Sequence, residues 1–296
     1  MKQKTIIILA LLSMYLIWGS TYLVIRIAIV SIPPLLMTST RLLLAGVILF
    51  LFLILRRHKL PNRRQWLNAL VVGGLMLGGG LGMTTFAEQW IESSLAAVLV
   101  ATIPLWTMVM MSVGGKRPLR QEWLGIFVGL VGVLLLNVED NLQANPFGAF
   151  LMILAPISWS LGSVLSRRLD LAKGSMGFAS EMLMGAAVLF VLAMLRGERI
   201  IAMPDTSAII AWLYLAIFGS LIAFSAYMYL LQTVNLTLAT SYAYVNPVVA
   251  VFLGVLVAGE TISNLGLVAI GIILSAVVII SFAQRKPKVA MSAVTD

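Results

Sequence analysis

No cysteine occurs among the 296 residues, which excludes disulfides, thiolate metal sites and thiol redox chemistry. Histidine is almost as scarce. The single one, His58, sits in a basic segment, and the 11 acidic residues are scattered, so neither a metal cluster nor a nucleophile with its base can be assembled. No Gly-Lys-Ser/Thr phosphate loop is present, so ATP is not handled by this chain. No cofactor is expected. Charge of either sign is thin at 10% of residues, against about 25% in soluble domains.

What fills the chain is apolar sequence: 61% of residues are hydrophobic and the mean hydropathy is +1.04. A hydrocarbon core about 30 Å thick is crossed by about 20 apolar residues in a helix. Ten segments meet that length, over 6–29, 33–55, 66–87, 93–113, 122–138, 147–166, 175–195, 208–231, 236–258 and 264–283. The fifth is at the short limit. The expected fold is an all-α membrane protein of ten transmembrane helices, with connections too short for a separate soluble domain. The first segment has a charged start but is long, lacks a small-x-small cleavage pattern and runs directly into further spans. It is expected to be a retained helix rather than a signal peptide.

A pI near 10.1 and a net charge of +9 raise the question of nucleic acid, and the charge positions answer it. With ten spans, Lys2, Lys4 and the segments 56–64, 116–120, 167–173 and 285–288 share one side; Arg196 and Arg199 face the other. The positive-inside rule then puts both termini in the cytoplasm. Anionic lipid headgroups account for the basic loops without a nucleic-acid partner. A multi-pass protein of the cytoplasmic (inner) membrane is expected, as a monomer or homodimer.

The chain is also written twice. A shift of 141 places Trp18 on Trp159 and Arg26 on Arg167; a shift of 143 places Gln89 on Gln232, Ala96 on Ala239 and Pro104 on Pro247. The halves are residues 1–138 and 147–283, joined by an extracytoplasmic linker over 139–146 and followed by a cytoplasmic tail over 284–296. Five spans per half is an odd number, so the second half enters the membrane inverted. Inverted repeats mark secondary transporters, whose site lies at midplane between the halves. A duplication that merely made a stable bundle is the alternative. A passive channel and an intramembrane enzyme acting on lipid are further ones, although nothing resembles a selectivity filter.

Trp18-Gly19-Ser20-Thr21 with Arg26, Arg41, the glycine-rich third span, Ala96-Ala97 to Pro104, Trp159, Ser163, Ala239-Thr240-Ser241-Tyr242, Asn246-Pro247 and Gly259-Glu260 make a pattern. It resembles the EamA-type drug/metabolite transporter family over the whole chain. The stretch Ser241 to Pro247 is similar to a bacterial inner-membrane exporter branch of that family. The resemblance implies two inverted five-helix halves and efflux of small metabolites, amino acids or amphipathic drugs by alternating access. Where the second half has Gly259-Glu260 the first has Gly115-Lys116, which counts against a symmetric role for that glutamate.

Ionisable groups within a span are costly and direct attention to function. Arg41 and Glu181 fall nearly on each other in the repeat, so both are candidates for a central cavity, as a pair or with Arg41 holding a substrate carboxylate. Glu181 is the candidate for proton coupling. Glu88 and Glu260 read as groups at span ends, and Arg26 and Arg167 as snorkelling to headgroups. Trp18, Trp159, Tyr227, Tyr242 and Tyr244 lie within spans rather than in interfacial belts; with Ser163 and Asn246 they complete the expected substrate-binding set. Pro104 and Pro247, at matched mid-span positions, are candidate gating kinks. The glycines of the third and fifth spans read as packing residues.

Overall fold

The computed structural model describes residues 2–91, 96, 99–115, 118–136, 145–258 and 264–283. Most of the expected linker, Lys116, Ser93, Ser94, Gly259, Glu260 and the tail lie outside the described residues. Every regular element among those described is helical. In chain order they are α1 (Lys2–Ala28), α2 (Pro34–Leu55), α3 (Arg63–Ala87), α4 (Ile103–Val113), α5 (Arg120–Leu136) and α6 (Pro146–Leu165). They continue with α7 (Ser175–Leu195), α8 (Thr206–Thr233), the single turn α9 (Leu236–Ala239), α10 (Tyr242–Ala258) and α11 (Asn264–Ala283).

Six of these, α1, α2, α3, α6, α7 and α8, are long and apolar enough to cross a membrane. Their outward faces carry large hydrophobics such as Leu16, Leu55, Leu67, Phe190 and Ile210, all exposed. In water such a surface would be a liability, whereas hydrocarbon solvates it.

Helix starts are set by local chemistry. Asn62 and Gln65 form a reciprocal capping box at α3, with Gln65 N donating to Asn62 Oδ1 at 2.9 Å. Asn145 accepts from the amides of Phe147 and Gly148 at the start of α6, where Pro146 takes the first-turn position that needs no donor. Helix α2 begins at Pro34 without a side-chain cap of its own. Instead Glu198, from the α7–α8 connection, accepts from the amides of Leu35 and Leu36 at 3.3 and 2.8 Å. A carboxylate there satisfies two orphan donors and complements the helix dipole.

The third and eighth spans are not uniform helices. Each holds a π-helical stretch, Gly74–Gly82 in α3 and Leu215–Phe224 in α8. These begin 141 residues apart, as do Trp18 and Trp159. The fourth and ninth spans, expected to be continuous over 93–113 and 236–258, are broken. A turn at Ala101–Thr102 precedes α4, and a turn at Thr240–Ser241 separates α9 from α10.

The most extensive packing is α2 against α7 and α5 against α11. Helix α3 packs on α6 and α7, while α8 packs on α1 and α2; likewise α4 packs on α6, and α10 on α1. Glycines permit the closest approaches. A Cβ on Gly73 would meet the Glu181 carbonyl of α7, and one on Gly185 would lie 3.0 Å from the Gly73 oxygen. Tyr244 lies across Gly129 of α5, where a Cβ would stand 3.0 Å from its ring.

Two stability outcomes follow. Glu198→Ala removes the α2 cap and should cost about 1 kcal/mol, read as a lower melting temperature in detergent. Gly73→Ala should lower it more, because backbone rather than a flexible side chain stands in the way; Gly271→Ala, with open space around it, should be tolerated.

Candidate functional site

A cavity with about 690 Å³ of empty space, counting its open side, lies where α1, α2, α3, α6, α8 and α10 meet. About 80 Å³ of it is open to the centres of water molecules, several times what one water needs (about 10–15 Å³). Its wall brings together five of the nine expected substrate-binding residues: Trp18, Arg41, Trp159, Tyr242 and Asn246. Tyr22, Thr21, Thr84, Ser220 and Pro156 join them.

Four rings form one wall. Trp18 stands at the centre, with ring centroids 5.6 Å from Trp159, 5.4 Å from Tyr227 and 4.6 Å from Tyr242. Edge-on contacts such as Trp18–Trp159, at 83°, suit the ring quadrupoles. Tyr227 is held behind Trp159: its hydroxyl accepts from Trp159 Nε1 at 3.1 Å and shares a hydrogen bond with Ser163 Oγ at 2.8 Å. Ser163 and Tyr227 therefore brace the wall from outside the lining. One turn beyond, Arg167 donates from Nη2 to the Val234 carbonyl, rather than reaching for headgroups as the sequence suggested.

The π-helical stretches receive the first helices of the opposite halves. Trp18 Nε1 donates to the Gly219 carbonyl at 3.0 Å, and Ser158 Oγ donates to the Leu75 carbonyl at 2.8 Å. Gly80 carries no side chain where a Cβ would stand 2.7 Å from the Trp159 ring. Gly219 also lies beside Arg41, whose Nη1 is 3.9 Å from where a Cβ would be, an ordinary contact distance.

Arg41 is 2% exposed, and its Nε has no hydrogen-bond partner among the described residues. Asn246, also 2% exposed, leaves its Oδ1 without a hydrogen-bond partner among the described residues. A buried donor cation and a buried acceptor on one apolar wall are groups that a polar solute could satisfy.

Glu181 does not join them. It is 1% exposed on α7, outside the cavity lining, and neither carboxylate oxygen has a hydrogen-bond partner among the described residues. Tyr244 is also away from the lining, against α5. Pro104 differs from expectation: it is the second residue of α4, after the turn, where no helix hydrogen bond is lost. Pro247 lies inside α10 and does remove the bond to the Ala243 carbonyl. Pro156 does the same inside α6, on the cavity wall, and was overlooked; a proline ten residues into a 20-residue apolar helix was the available signal.

The other residue missed was Glu88. It reads as an interfacial group from its place at the end of the third span. It is instead 5% exposed, with Arg41 and Arg26 close enough to act on it electrostatically.

Long apolar helices around a largely apolar cavity with a few buried polar groups make a membrane protein with a central site. The EamA-like transporter family description matches the chain twice, over residues 5–138 and 146–282, and the chain belongs to that family. It is 49% identical over 286 residues to the "Uncharacterized inner membrane transporter YedA" of Escherichia coli (strain K12), covering 95% of this chain and 94% of that one. It is 28% identical over 282 residues to the "Uncharacterized transporter YoaV" of Bacillus subtilis (strain 168), covering 92% and 94%. "Protein PecM" of Dickeya dadantii (strain 3937) matches at 28% over 278 residues, covering 91% and 92%. A solved crystal structure superposes with a TM-score of 0.77 at 21% identity, over 94% of this chain and 96% of that one, a likeness of fold alone.

Removing the Tyr227 hydroxyl leaves the buried Trp159 N–H without its acceptor. Tyr227→Phe should therefore cost about 1–3 kcal/mol, seen as a lower melting temperature in detergent.

Proposed function

We propose that this protein is a secondary active transporter of the cytoplasmic (inner) membrane. It exports small metabolites, amino acids or amphipathic drug-like solutes by alternating access. The observation that carries this reading is the central cavity, where Trp18, Trp159 and Tyr242 offer apolar faces around Arg41 and Asn246, whose Nε and Oδ1 have no hydrogen-bond partner among the described residues.

Alternating access calls for two equivalent halves that can exchange places. The helix packing supports an inverted repeat of two five-helix halves, because the main contacts have counterparts. Helix α3 on α6 answers α8 on α1, α4 on α6 answers α10 on α1, and α2–α7 and α5–α11 are self-matched. The paired π-helical stretches, the two family matches and the broken fourth and ninth spans fit the same ten-helix arrangement. Discontinuous helices at the repeat interface are where transporters of this kind build their sites.

With both termini cytoplasmic, the ring wall and its Tyr227–Ser163 brace lie on the inner side of the cavity, and Arg41 lies toward the outer side. Passage inward then requires Trp18 and Trp159 to part from Tyr227 and Tyr242. Pro247 and the turns before α4 and α10 are the points where the backbone can give; Pro104 serves there as a helix start rather than a kink. Aromatic walls suit flat or amphipathic cargo, and Arg41 selects those bearing an anionic group.

Reconstituted into liposomes and offered a labelled panel of aromatic and small neutral amino acids, purines, aromatic carboxylates and cationic dyes, the protein should catalyse counterflow of at least one class. Arg41→Gln should cut that flux roughly ten- to hundredfold, the loss expected for one charge-assisted hydrogen bond. Trp123→Leu, distant from the lining, should leave it unchanged. Counterflow equal in wild type and Arg41→Gln removes the cavity from the reading.

A further inference from the structure

Arg41 raises a question that the carrier reading leaves open: what balances its charge while the cavity is empty? An uncompensated guanidinium within an apolar bundle is costly. Glu181, the near-equivalent of Arg41 in the repeat, is buried on α7 outside the cavity lining. The acid that does face Arg41 is Glu88, one helical turn beyond Thr84 on α3, and Thr84 lines the cavity.

The two groups are near each other without touching. Both Glu88 oxygens lack a hydrogen-bond partner among the described residues, as does Arg41 Nε. Among the described residues the other groups facing Glu88 are on α1: Arg26, exposed at the helix end, and Tyr22, on the cavity wall. Glu88 is thus a buried carboxylate with Arg41 and Arg26 around it, and of the two Arg41 is buried and belongs to the cavity. Attraction across a gap holds the pair loosely, and an anion entering the cavity can approach Arg41 more closely than Glu88 does.

We propose that Glu88 is the resident counter-ion of Arg41, which a carboxylate-bearing cargo displaces, and that Glu88 binds a proton as the cargo binds. Bound cargo and Glu88 together would present two negative charges to Arg41, and taking up one proton removes the excess. Cargo anion and proton then occupy the protein together and leave together. This rests on the reading of the cavity as the cargo site, and it adds the cargo's charge and the group that carries the proton.

The test is an infrared titration of the purified full-length protein in nanodiscs. The carboxyl band of protonated Glu88 is assigned by its loss in Glu88→Gln, with Glu181→Gln run alongside to separate the second buried acid. In Arg41→Gln the Glu88 band should persist to a pH higher by about one to three units, the effect of withdrawing a nearby opposite charge. In the wild type, benzoate should move the band in the same direction, and in Arg41→Gln it should move it no further. A Glu88 titration unmoved in Arg41→Gln overturns the counter-ion assignment. A shift in Arg41→Gln with no effect of benzoate on the wild type overturns displacement by a carboxylate. Neither result depends on flux, so failure of this pair is distinguishable from failure of the carrier reading, which counterflow decides.

Discussion

Holding a guanidinium inside an apolar helix bundle is the constraint on which the rest of this structure turns. Three helices surround Arg41. Gly219 of α8 passes beside its Nη1, at ordinary contact distance from where a Cβ would stand. The π-helical stretch of α8 presents the Gly219 carbonyl to Trp18 Nε1, which fixes the indole on the cavity lining that Arg41 shares. On the far side, α3 brings Glu88 to face it. A π-helical stretch shifts the hydrogen-bonding register and changes which backbone and side-chain groups face inward, which is why such stretches gather at functional sites. Here both occur in the spans that pack on the first helix of the opposite half.

The same economy governs the backbone elsewhere. In hydrocarbon every N–H and C=O needs a partner from within the protein. The spans nevertheless contain Pro156 and Pro247 and two turns within otherwise continuous segments. The defects are concentrated around the cavity rather than on lipid-facing surfaces, where water or a neighbouring hydroxyl can answer them. Ser160 Oγ, donating to the Ile103 carbonyl at 3.0 Å just before Pro104, is one such answer. Ser158 on Leu75 is another.

The membrane class, the helical fold and much of the cavity wall were legible in the sequence because they follow from apolar length and from polar or aromatic residues out of place. Trp18, Trp159, Tyr242, Asn246 and Arg41 were readable in this way, and all reach the cavity. What failed was orientation about the helix axis. Glu181 and Arg41 are near-equivalents in the repeat, yet equivalence under an inversion does not put two side chains in contact. Tyr244, two residues from Tyr242, points to a different helix because successive residues on a helix turn by about 100°. Glu88 was misread for another reason: position at a span's end predicts exposure only when no neighbouring helix covers it, and hydropathy along one chain carries no information about neighbours. The π-helical stretches had no sequence signal at all; a run of glycines in one and a single Gly219 in the other share no pattern.

A carrier needs a site that is satisfied both empty and loaded, since a site satisfied only when loaded would not let go. The ring wall meets this requirement passively, because Trp18, Trp159, Tyr227 and Tyr242 pack on one another in the cavity's absence of cargo. A buried cation cannot do so passively. It requires an alternative anion of its own, held near enough to compensate and far enough to be replaced. In the arrangement proposed above Glu88 stands in that relation to Arg41, almost wholly buried and with neither carboxylate oxygen hydrogen-bonded among the described residues. Had the two formed a tight bidentate pair, the cavity would be electrostatically complete and indifferent to an anionic cargo; had Glu88 been absent, the first anion bound would be released slowly. The loose pairing is therefore the feature that lets one charge serve binding and release alike.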